Sequence, residues 1–303
     1  MPFEEYKKIA VAGGTGTLGS VVVKELIKSG LFNITVLTRE TSTHTFPPEV
    51  KVAKVNYDSI DSITEVLKGQ DALVSTLGTL AVGNQKQLID AAVKAGVKRI
   101  IPSEFGCDLH NEKTRALPVY AGKVEIEKYL DDLAVKGFTS YTLIFTGPFL
   151  DGGLRNGLFF NFKERKAEIF DGGERLISAS RLSTIGKAIR RVLTHPRETA
   201  DRAVWVKDID VSQKQLLELA QALTPGEEWD IKETNTAELA KTSLEQVQKG
   251  EIGPLTFFNL VRVAIFGEGY GSKFEHVHNS VLGIAGITLP DIEELVVSIF
   301  SAK

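Results

Sequence analysis

Cysteine is almost absent from this sequence, since Cys107 is the only thiol among 303 residues. A single cysteine excludes an intramolecular disulfide and a thiolate metal cage, and this usage is typical of a protein from a reducing compartment. Surplus positive charge is also lacking, because 36 lysines and arginines face 39 aspartates and glutamates, for a net charge of −3. With no global positive field to hold nucleic acid or an anionic membrane, we expect a small molecule as the partner.

Long hydrophobic runs are missing as well. The most apolar stretch, residues 141–150, is interrupted by Thr142, Thr146 and Pro148, and no run approaches the ~18 residues of a membrane-spanning helix. The apolar run 9–12 is shorter than the ~7–15 residues of an export-signal core. We therefore expect a cytoplasmic protein without an export signal or membrane association.

Signatures of metal sites and of hydrolases are weak or missing. His276 and His278 form the one close pair among five histidines, and a His-x-His pair alone is a poor metal signal. The Gly-x-Ser-x-Gly motif of the hydrolase nucleophile elbow does not occur. We therefore expect neither a metal centre nor an esterase-like serine.

The first half of the chain alternates short β-branched runs with amphipathic helical stretches. The runs lack the polar alternation of half-exposed strands, which is typical of strands covered on both faces. They span residues 9–12, 34–37, 50–55, 72–76, 99–101 and 142–145. The predicted helices end at glycines suited to a left-handed C-terminal position, namely Gly30, Gly69, Gly96 and Gly137. These units predict an α/β fold with a doubly wound parallel sheet of the Rossmann type.

After Pro148 the pattern changes to mixed strands and helices with many glycines. Asp171-Gly172-Gly173 predicts a hairpin between residues 168–170 and 175–178. Helical spacing of apolar residues recurs further along. It covers residues 182–193, 212–223, 236–266 and 290–300.

This change of pattern predicts two domains. Residues 1–150 are expected to form a Rossmann domain that binds a cofactor, and residues 151–303 a smaller α+β domain that binds the substrate. Residues 202–206 have strand character and are candidates to extend the first sheet. Part of the segment 175–210 is therefore a candidate to return to the first domain.

A glycine-rich loop follows the first predicted strand, and a helix follows the loop at once. Gly13, Gly16 and Gly19 are spaced for a sharp turn, the close approach of a pyrophosphate and tight helix packing. The helix N-terminus supplies N–H donors and the positive end of its dipole. We therefore predict a dinucleotide site. Its candidate residues in the loop are Gly13, Thr15, Gly16, Thr17, Leu18 and Gly19.

The end of the second predicted strand bears on which dinucleotide is bound. A site for NAD usually has an acidic residue there for the ribose hydroxyls, whereas a 2′-phosphate needs a cation. Arg39 ends this strand, and its planar guanidinium suits both a phosphate and the adenine face. Although Glu40 follows immediately, we predict NADPH/NADP as the cofactor, with Arg39 as a ligand of the adenosine phosphate.

Several motifs together resemble the isoflavone reductase-like and NmrA-like branch of the atypical short-chain dehydrogenases. They are Gly13 to Gly19, Leu37-Thr38-Arg39, Ser75-Thr76-Leu77-Gly78, Gln85, Pro102-Ser103-Glu104-Phe105-Gly106 and Lys123. The resemblance covers the first half of the chain well and the second half in general layout.

This resemblance implies roles for residues that composition and spacing do not identify. It implies that Thr76 and Gly78 line the cofactor and that Gln85, seven residues after Gly78, contacts the dinucleotide. The Pro-Ser-Glu-Phe-Gly motif is expected to end the fifth strand beside the nicotinamide. Phe149, just past the sixth strand, is likewise expected near the nicotinamide.

Lys123 matches the lysine proposed as catalytic in this family, at the start of a Lys-x-x-apolar helix. Tyr120 precedes it by three residues, one short of the Tyr-x-x-x-Lys spacing of ordinary short-chain dehydrogenases. Gly122 and Pro118 predict that the helix begins only at Lys123, which leaves Tyr120 in a loop with a role on the substrate side. Lys123 could relay a proton or act as a fixed ammonium that holds the ribose and a developing oxyanion.

The expected function is an NADPH-dependent reductase of a hydrophobic, aromatic or enone-bearing small molecule. Five phenylalanines could line its pocket, although core packing is their more common use. They are Phe159, Phe160, Phe162, Phe257 and Phe258. Two alternatives remain open: a non-enzymatic NmrA-like regulator that senses NADP(H) and binds a protein partner, and a redox-neutral isomerase or dehydratase. Retention of Lys123 favours an enzyme, and a homodimer is compatible with the sequence.

Overall fold

The computed structural model describes residues 5–78 and 85–300. Its strands are β1 Lys8–Ala12, β2 Asn33–Arg39, β3 Val50–Val55, β4 Ala72–Ser75, β5 Arg99–Ile101, β6 Ser140–Phe145, β7 Lys166–Phe170, β8 Leu176–Ala179, β9 Arg202–Trp205, β10 Ile209–Ser212 and β11 Asp230–Thr234. Its α-helices are α1 Thr17–Ser29, α2 Ile60–Leu67, α3 Gln85–Lys94, α4 Glu112–Arg115, α5 Ala121–Val135, α6 Leu150–Asn156, α7 Leu182–Thr194, α8 Gln213–Ala222, α9 Thr236–Gln248, α10 Pro254–Phe266 and α11 Leu289–Phe300.

A parallel seven-stranded sheet forms the centre of the molecule, in the order β3-β2-β1-β4-β5-β6-β9. In β1, Ile9 and Val11 pack into the core on one face, while Ala10 and Ala12 pack into the core on the other. All four are fully buried, which explains why the strand sequence shows no polar alternation. The predicted fold class, an α/β doubly wound sheet of the Rossmann type, is confirmed.

The chain returns to this sheet after residue 200. Strand β9 pairs with β6 in parallel, with Thr142 opposite Arg202. The fully buried Arg99 ties this edge together, because its guanidinium donates to Thr142 Oγ1 at 2.8 Å and to Pro196 O at 2.7 Å. Residues from both halves of the sequence thus share one sheet, and a domain boundary at residue 150 stays a prediction.

The predicted hairpin at Asp171-Gly172-Gly173 is wrong. Strand β7 pairs with β11 in parallel and β8 pairs with β10 in antiparallel fashion, so the two strands joined by this turn belong to different sheets. Asp171, Gly172 and Gly173 all have positive φ, at 48°, 75° and 71°. The Asp171 carboxylate also accepts from the Thr236 N–H at 2.9 Å. This turn therefore directs β8 away from β7, toward a different partner.

The helices of the second half lie close to their predicted positions. The predicted helical stretch 236–266 consists of two helices, α9 and α10, because Gly250 has a φ of 77° and Pro254 opens the second helix. Helix α7 packs on α1, where the absence of a side chain on Gly186 lets Val21 and Glu25 come close. Within the described ranges, no helix combines the length and apolar character needed to cross a membrane.

A close backbone approach fixes the loop after β6. Gly147 has a φ of 63°, and a Cβ at this position would lie 1.8 Å from Ser178 O. The N–H groups of Thr146 and Gly147 both donate to Gly106 O, at 3.1 and 2.9 Å. The loop after β5, the loop after β6 and strand β8 are thus packed backbone to backbone.

Gly147→Ala is expected to lower the free energy of unfolding by about 3 kcal/mol or more, because the new methyl group meets a carbonyl oxygen that cannot move freely. Gly30→Ala is the matched control. Gly30 has a similar φ of 65°, but a Cβ there would have no other atom within 4 Å, so we expect a loss of about 1 kcal/mol. Urea unfolding measures both losses, and equal losses would contradict the contact argument.

Candidate functional site

The glycine loop presents an uncapped helix N-terminus. Gly13 has a φ of 79°, the Gly16 N–H donates to Gly13 O at 2.9 Å, and a Cβ on Gly19 would lie 2.1 Å from that same oxygen. Helix α1 starts at Thr17 with no side-chain cap and no acidic residue in its first turn. Its first N–H groups are therefore available to an anion such as a pyrophosphate. The Leu18 side chain is buried in the core, which leaves its backbone N–H for such contact.

A cavity of about 380 Å³, the loop cavity, lies between this loop and the ends of β2 and β4. Its described walls are Gly13, Thr15, Gly16, Leu37, Thr38, Arg39, Ser42, Tyr57, Thr76, Leu77 and Gly78. Among them Arg39 is the one charged residue, and Glu40 does not contribute to the wall. The buried Thr38 Oγ1 has no hydrogen-bond partner among the described residues. The cavity thus offers hydroxyl groups, backbone N–H donors and one cation, as an adenosine phosphate requires.

Thr76 and Gln85 stabilise the loops around the carboxyl ends of the strands. Thr76 Oγ1 donates to Ala12 O at 2.9 Å, next to the glycine loop. Gln85 Oε1 accepts from the Ser103 N–H at 2.7 Å, while its buried Nε2 has no partner among the described residues. Residues 79–84, between Gly78 and Gln85, lie outside the described residues. Contact of Gln85 with the dinucleotide stays a prediction.

Lys123 lies in the first turn of α5 and points to the loop after β5. The helix begins at Ala121, two residues before the predicted start, and a 3-10 turn at Pro118–Tyr120 leads into it. Lys123 Nζ donates to the backbone oxygen of Glu104 and lies 3.8 Å from Glu104 Oε2. Its side chain is 18% exposed. The structure therefore places Lys123, the lysine that the resemblance implies is catalytic, next to the carboxylate of the Pro-Ser-Glu-Phe-Gly motif.

Glu104 is the residue that sequence reasoning quoted in a motif but left without a role. It is 3% exposed, and burial raises its pKa to about 7, an effect that Lys123 offsets in part and Glu127 reinforces. Its Oε1 has no hydrogen-bond partner among the described residues. A carboxyl group that titrates near neutral pH beside a lysine can hold or release a proton during catalysis. The available sequence signal was a charged residue three positions after the end of the buried strand β5.

Tyr120 and Cys107 form a buried pair near Lys123. The Tyr120 hydroxyl donates to Cys107 Sγ at 3.3 Å. Burial raises the pKa of Tyr120 well above its ordinary range and also raises the pKa of the Cys107 thiol. Both groups are therefore protonated at neutral pH, which makes Tyr120 unsuitable as a phenolate base. Its predicted role on the substrate side stays a prediction.

A larger cavity of about 770 Å³, the lysine cavity, opens beside Lys123. Its walls include Thr17 of the glycine loop, Tyr120, Lys123, Phe149 and residues of α6 and α10. Both cavities thus share the glycine loop as a wall, at the carboxyl ends of the parallel strands, where ligands bind in this fold class. The described part of the chain contains no group of three histidine, cysteine or acidic residues able to hold a metal ion.

The five phenylalanines considered from sequence divide into two groups. Phe257 and Phe258 line the lysine cavity together with Phe105 and Phe149. The other three pack elsewhere. Phe159 and Phe160 are buried in the core, and Phe162 stacks on Phe300 with ring centroids 4.2 Å apart. The cavity wall is therefore aromatic through residues from separate segments of the chain.

These features define a Rossmann-fold protein with an open, aromatic cavity whose walls include a lysine and a residue of the glycine loop. The model of the NmrA-like family matches residues 5–171. The chain belongs to this family, which confirms the resemblance found from its motifs.

A relative and two solved structures are similar over most of the chain. Oxidoreductase aprR of Aspergillus flavus is 33% identical over 296 residues, which cover 96% of this chain and 98% of aprR. A crystal structure of isoflavone reductase superposes with a TM-score of 0.74 at 20% identity, covering 95% of this chain and 98% of its own. AtPrR2 with NADP⁺ and (+)pinoresinol gives a TM-score of 0.76 at 20% identity, covering 97% of this chain and 100% of its own. The chain is an oxidoreductase by its relatives, and the likeness to the two solved structures concerns the fold.

Glu104→Gln is expected to gain stability relative to the wild type as the pH rises from 5 to 8. The pKa of Glu104 is about 7 in the folded protein, against an ordinary value of 4.5. At a pH between these two pKa values, Glu104 is mostly protonated in the folded state and mostly ionised in the unfolded state. Its presence therefore costs stability as the pH rises, by roughly 2 kcal/mol over this range. Urea unfolding at several pH values measures the difference.

Glu127→Gln is the control for this experiment. Burial opposes ionisation of Glu127, but hydrogen bonds from His110 and Arg115 outweigh it and lower its pKa. We therefore expect this variant to be less stable than the wild type at pH 8, the opposite sign. A stability difference for Glu104→Gln that does not change with pH would contradict the assignment.

Proposed function

We propose that this protein is an NADPH-dependent reductase of a hydrophobic, aromatic or enone-bearing small molecule. The observation that carries the proposal is the lysine cavity. It is lined by Thr17 of the glycine loop, by Lys123 and by four phenylalanines. A nicotinamide held by the glycine loop and a flat apolar substrate would both fit in a space of about 770 Å³. The similarity to AtPrR2, described with NADP⁺ and (+)pinoresinol, supports the same cofactor and an aromatic substrate.

The loop cavity fits the adenosine end of NADPH. The uncapped start of α1 suits the pyrophosphate, and Arg39 on the cavity wall suits the 2′-phosphate. Gly13, Gly16 and Gly19 would let the dinucleotide approach the backbone, with Thr15, Thr76 and Gly78 on the same wall. When bound, the reduced nicotinamide supplies the two electrons of the reaction.

Lys123 and Glu104 would manage the proton. Lys123 Nζ already has the Glu104 carbonyl and carboxylate as neighbours, and it has a further N–H for the substrate oxygen that gains negative charge. Glu104, with a pKa of about 7, would hold a proton close to Lys123 Nζ. We therefore assign Lys123 as the group that touches the substrate and Glu104 as the positioning residue beneath it.

The open cavity favours an enzyme over a regulator that senses NADP(H). A sensor that needs no substrate is expected to fill the space beside its nicotinamide site with side chains. Here the space is open, and Lys123 lies on its wall. A redox-neutral isomerase or dehydratase has no separate observation in its favour.

Arg39→Gln is expected to weaken NADPH binding about 10- to 100-fold and to change NADH binding little, because a charged hydrogen bond to the 2′-phosphate is lost. Nicotinamide fluorescence titrations of both dinucleotides measure the effect. Glu40→Gln is the neighbouring control and should leave NADPH binding intact. The cofactor assignment would be refuted if the wild type bound NADH as well as NADPH, or if Glu40→Gln weakened NADH binding alone.

Lys123→Met is expected to lower kcat at least 100-fold with a panel of aromatic ketones and enones, because the cation beside the developing charge is removed. The dissociation constant for NADPH should change less than about threefold if the main role is in chemistry. Lys128→Met, an exposed lysine on the same helix, is the matched control and should keep full activity. Full activity of Lys123→Met would end the catalytic assignment.

A further inference from the structure

The charged side chains on the wall of the lysine cavity are both cations. Lys123 and Arg155 contribute to this wall, and no aspartate or glutamate among the described residues does. The other wall residues are mostly aromatic, aliphatic or glycine. A cavity that is apolar but carries only positive side chains favours a ligand with a hydrophobic body and a negative group.

Arg155 differs from Lys123 in having no counter-charge. Lys123 lies 3.8 Å from the Glu104 carboxylate. Arg155, in contrast, is exposed and makes no hydrogen bond or ion pair with any residue in the ranges 5–78 and 85–300. An arginine on the wall of a largely apolar cavity, without an acidic partner, is available to bind an anion that enters the cavity.

The acid closest to Arg155 along the chain is directed elsewhere. Asp151 precedes Arg155 by four residues on α6, a spacing at which opposite charges commonly pair. Its Oδ1 instead accepts from the N–H groups of Gly152 and Leu182, both at 3.0 Å. Asp151 thus joins α6 to the start of α7 and does not neutralise Arg155.

Helix α6 holds Arg155 in place through its opposite face. Leu150 and Leu154 on this helix are buried. Gly153 packs so closely on Phe159 that a Cβ would lie 2.5 Å from the ring. The backbone that carries Arg155 is therefore fixed by packing, and the residue itself is exposed and belongs to the cavity wall.

We propose that the substrate of this reductase carries a carboxylate, and that Arg155 binds this group while the hydrophobic body of the substrate occupies the aromatic part of the lysine cavity. The planar guanidinium matches a carboxylate through two parallel hydrogen bonds. One unpaired arginine balances the single charge of a carboxylate, whereas a dianionic phosphate would call for further cations. This inference rests on the proposed function and names the substrate class of the same cavity.

Matched pairs of aromatic acids and their methyl esters test this proposal. Benzoate, trans-cinnamate and 4-phenylbutyrate are titrated against methyl benzoate, methyl cinnamate and methyl 4-phenylbutyrate by calorimetry, with the protein free and saturated with NADP⁺. We expect the wild type to bind at least one acid about tenfold or more tightly than its ester. Arg155→Leu is expected to remove this preference while ester binding persists, and Arg155→Lys to retain part of it.

Arg197→Leu is the control variant. Arg197 is exposed in the segment after α7 and belongs to neither cavity wall, so its removal should leave the acid preference unchanged. The proposal is overturned if no acid binds more tightly than its ester, if Arg155→Leu keeps the preference, or if Arg197→Leu abolishes it equally.

A parallel titration with NADPH separates this result from the proposed function. If NADPH fails to bind, the reductase assignment fails whatever the acids do. If NADPH binds and the acids show no preference over their esters, the reductase assignment stands and the carboxylate assignment alone is wrong.

Discussion

The backbone packing around Gly147 is the constraint on which the candidate site depends. Because this residue has no side chain, Ser178 O can approach its Cα, and the N–H groups of Thr146 and Gly147 can both reach Gly106 O. This contact holds the loop that carries Glu104 against the loop that leads into α6. The positions of Lys123's carboxylate partner and of Arg155 therefore follow from one junction of three backbone segments.

The electrostatics of the site follow from what this junction buries. Glu104 is placed where water cannot reach it, so its pKa rises to about 7, and Lys123 gains a neighbour that is ionised in part near neutral pH. Arg155 lies on the wall of the same cavity without such a neighbour. One cation is thus held by the protein itself, and the other is left for a ligand.

Much of the fold was predictable because its elements are locally encoded. The strands of the Rossmann sheet are continuous apolar runs and its helices end at glycines such as Gly30 and Gly96, which have positive φ in the structure. The hairpin at Asp171-Gly172-Gly173 failed because strand pairing is not local: a turn motif indicates a change of direction, but the partner of each strand is decided by distant segments such as β10 and β11. The start of α5 was misjudged for a related reason, since a 3-10 turn continues directly into the helix ahead of Lys123.

Local sequence was enough to predict the glycine loop, the α/β class, the family and the lysine near a helix start. Each of these predictions rests on short motifs or on periodic patterns among neighbouring residues. The folded chain was needed to show that Glu104 lies beside Lys123 and that Tyr120 is bonded to Cys107. It was also needed to show which phenylalanines line a cavity and that Asp151 leaves Arg155 unpaired. Each of these contacts either joins residues far apart along the chain or is one of several that the sequence would allow. Burial and packing decide which contact forms, and no local sequence pattern records them.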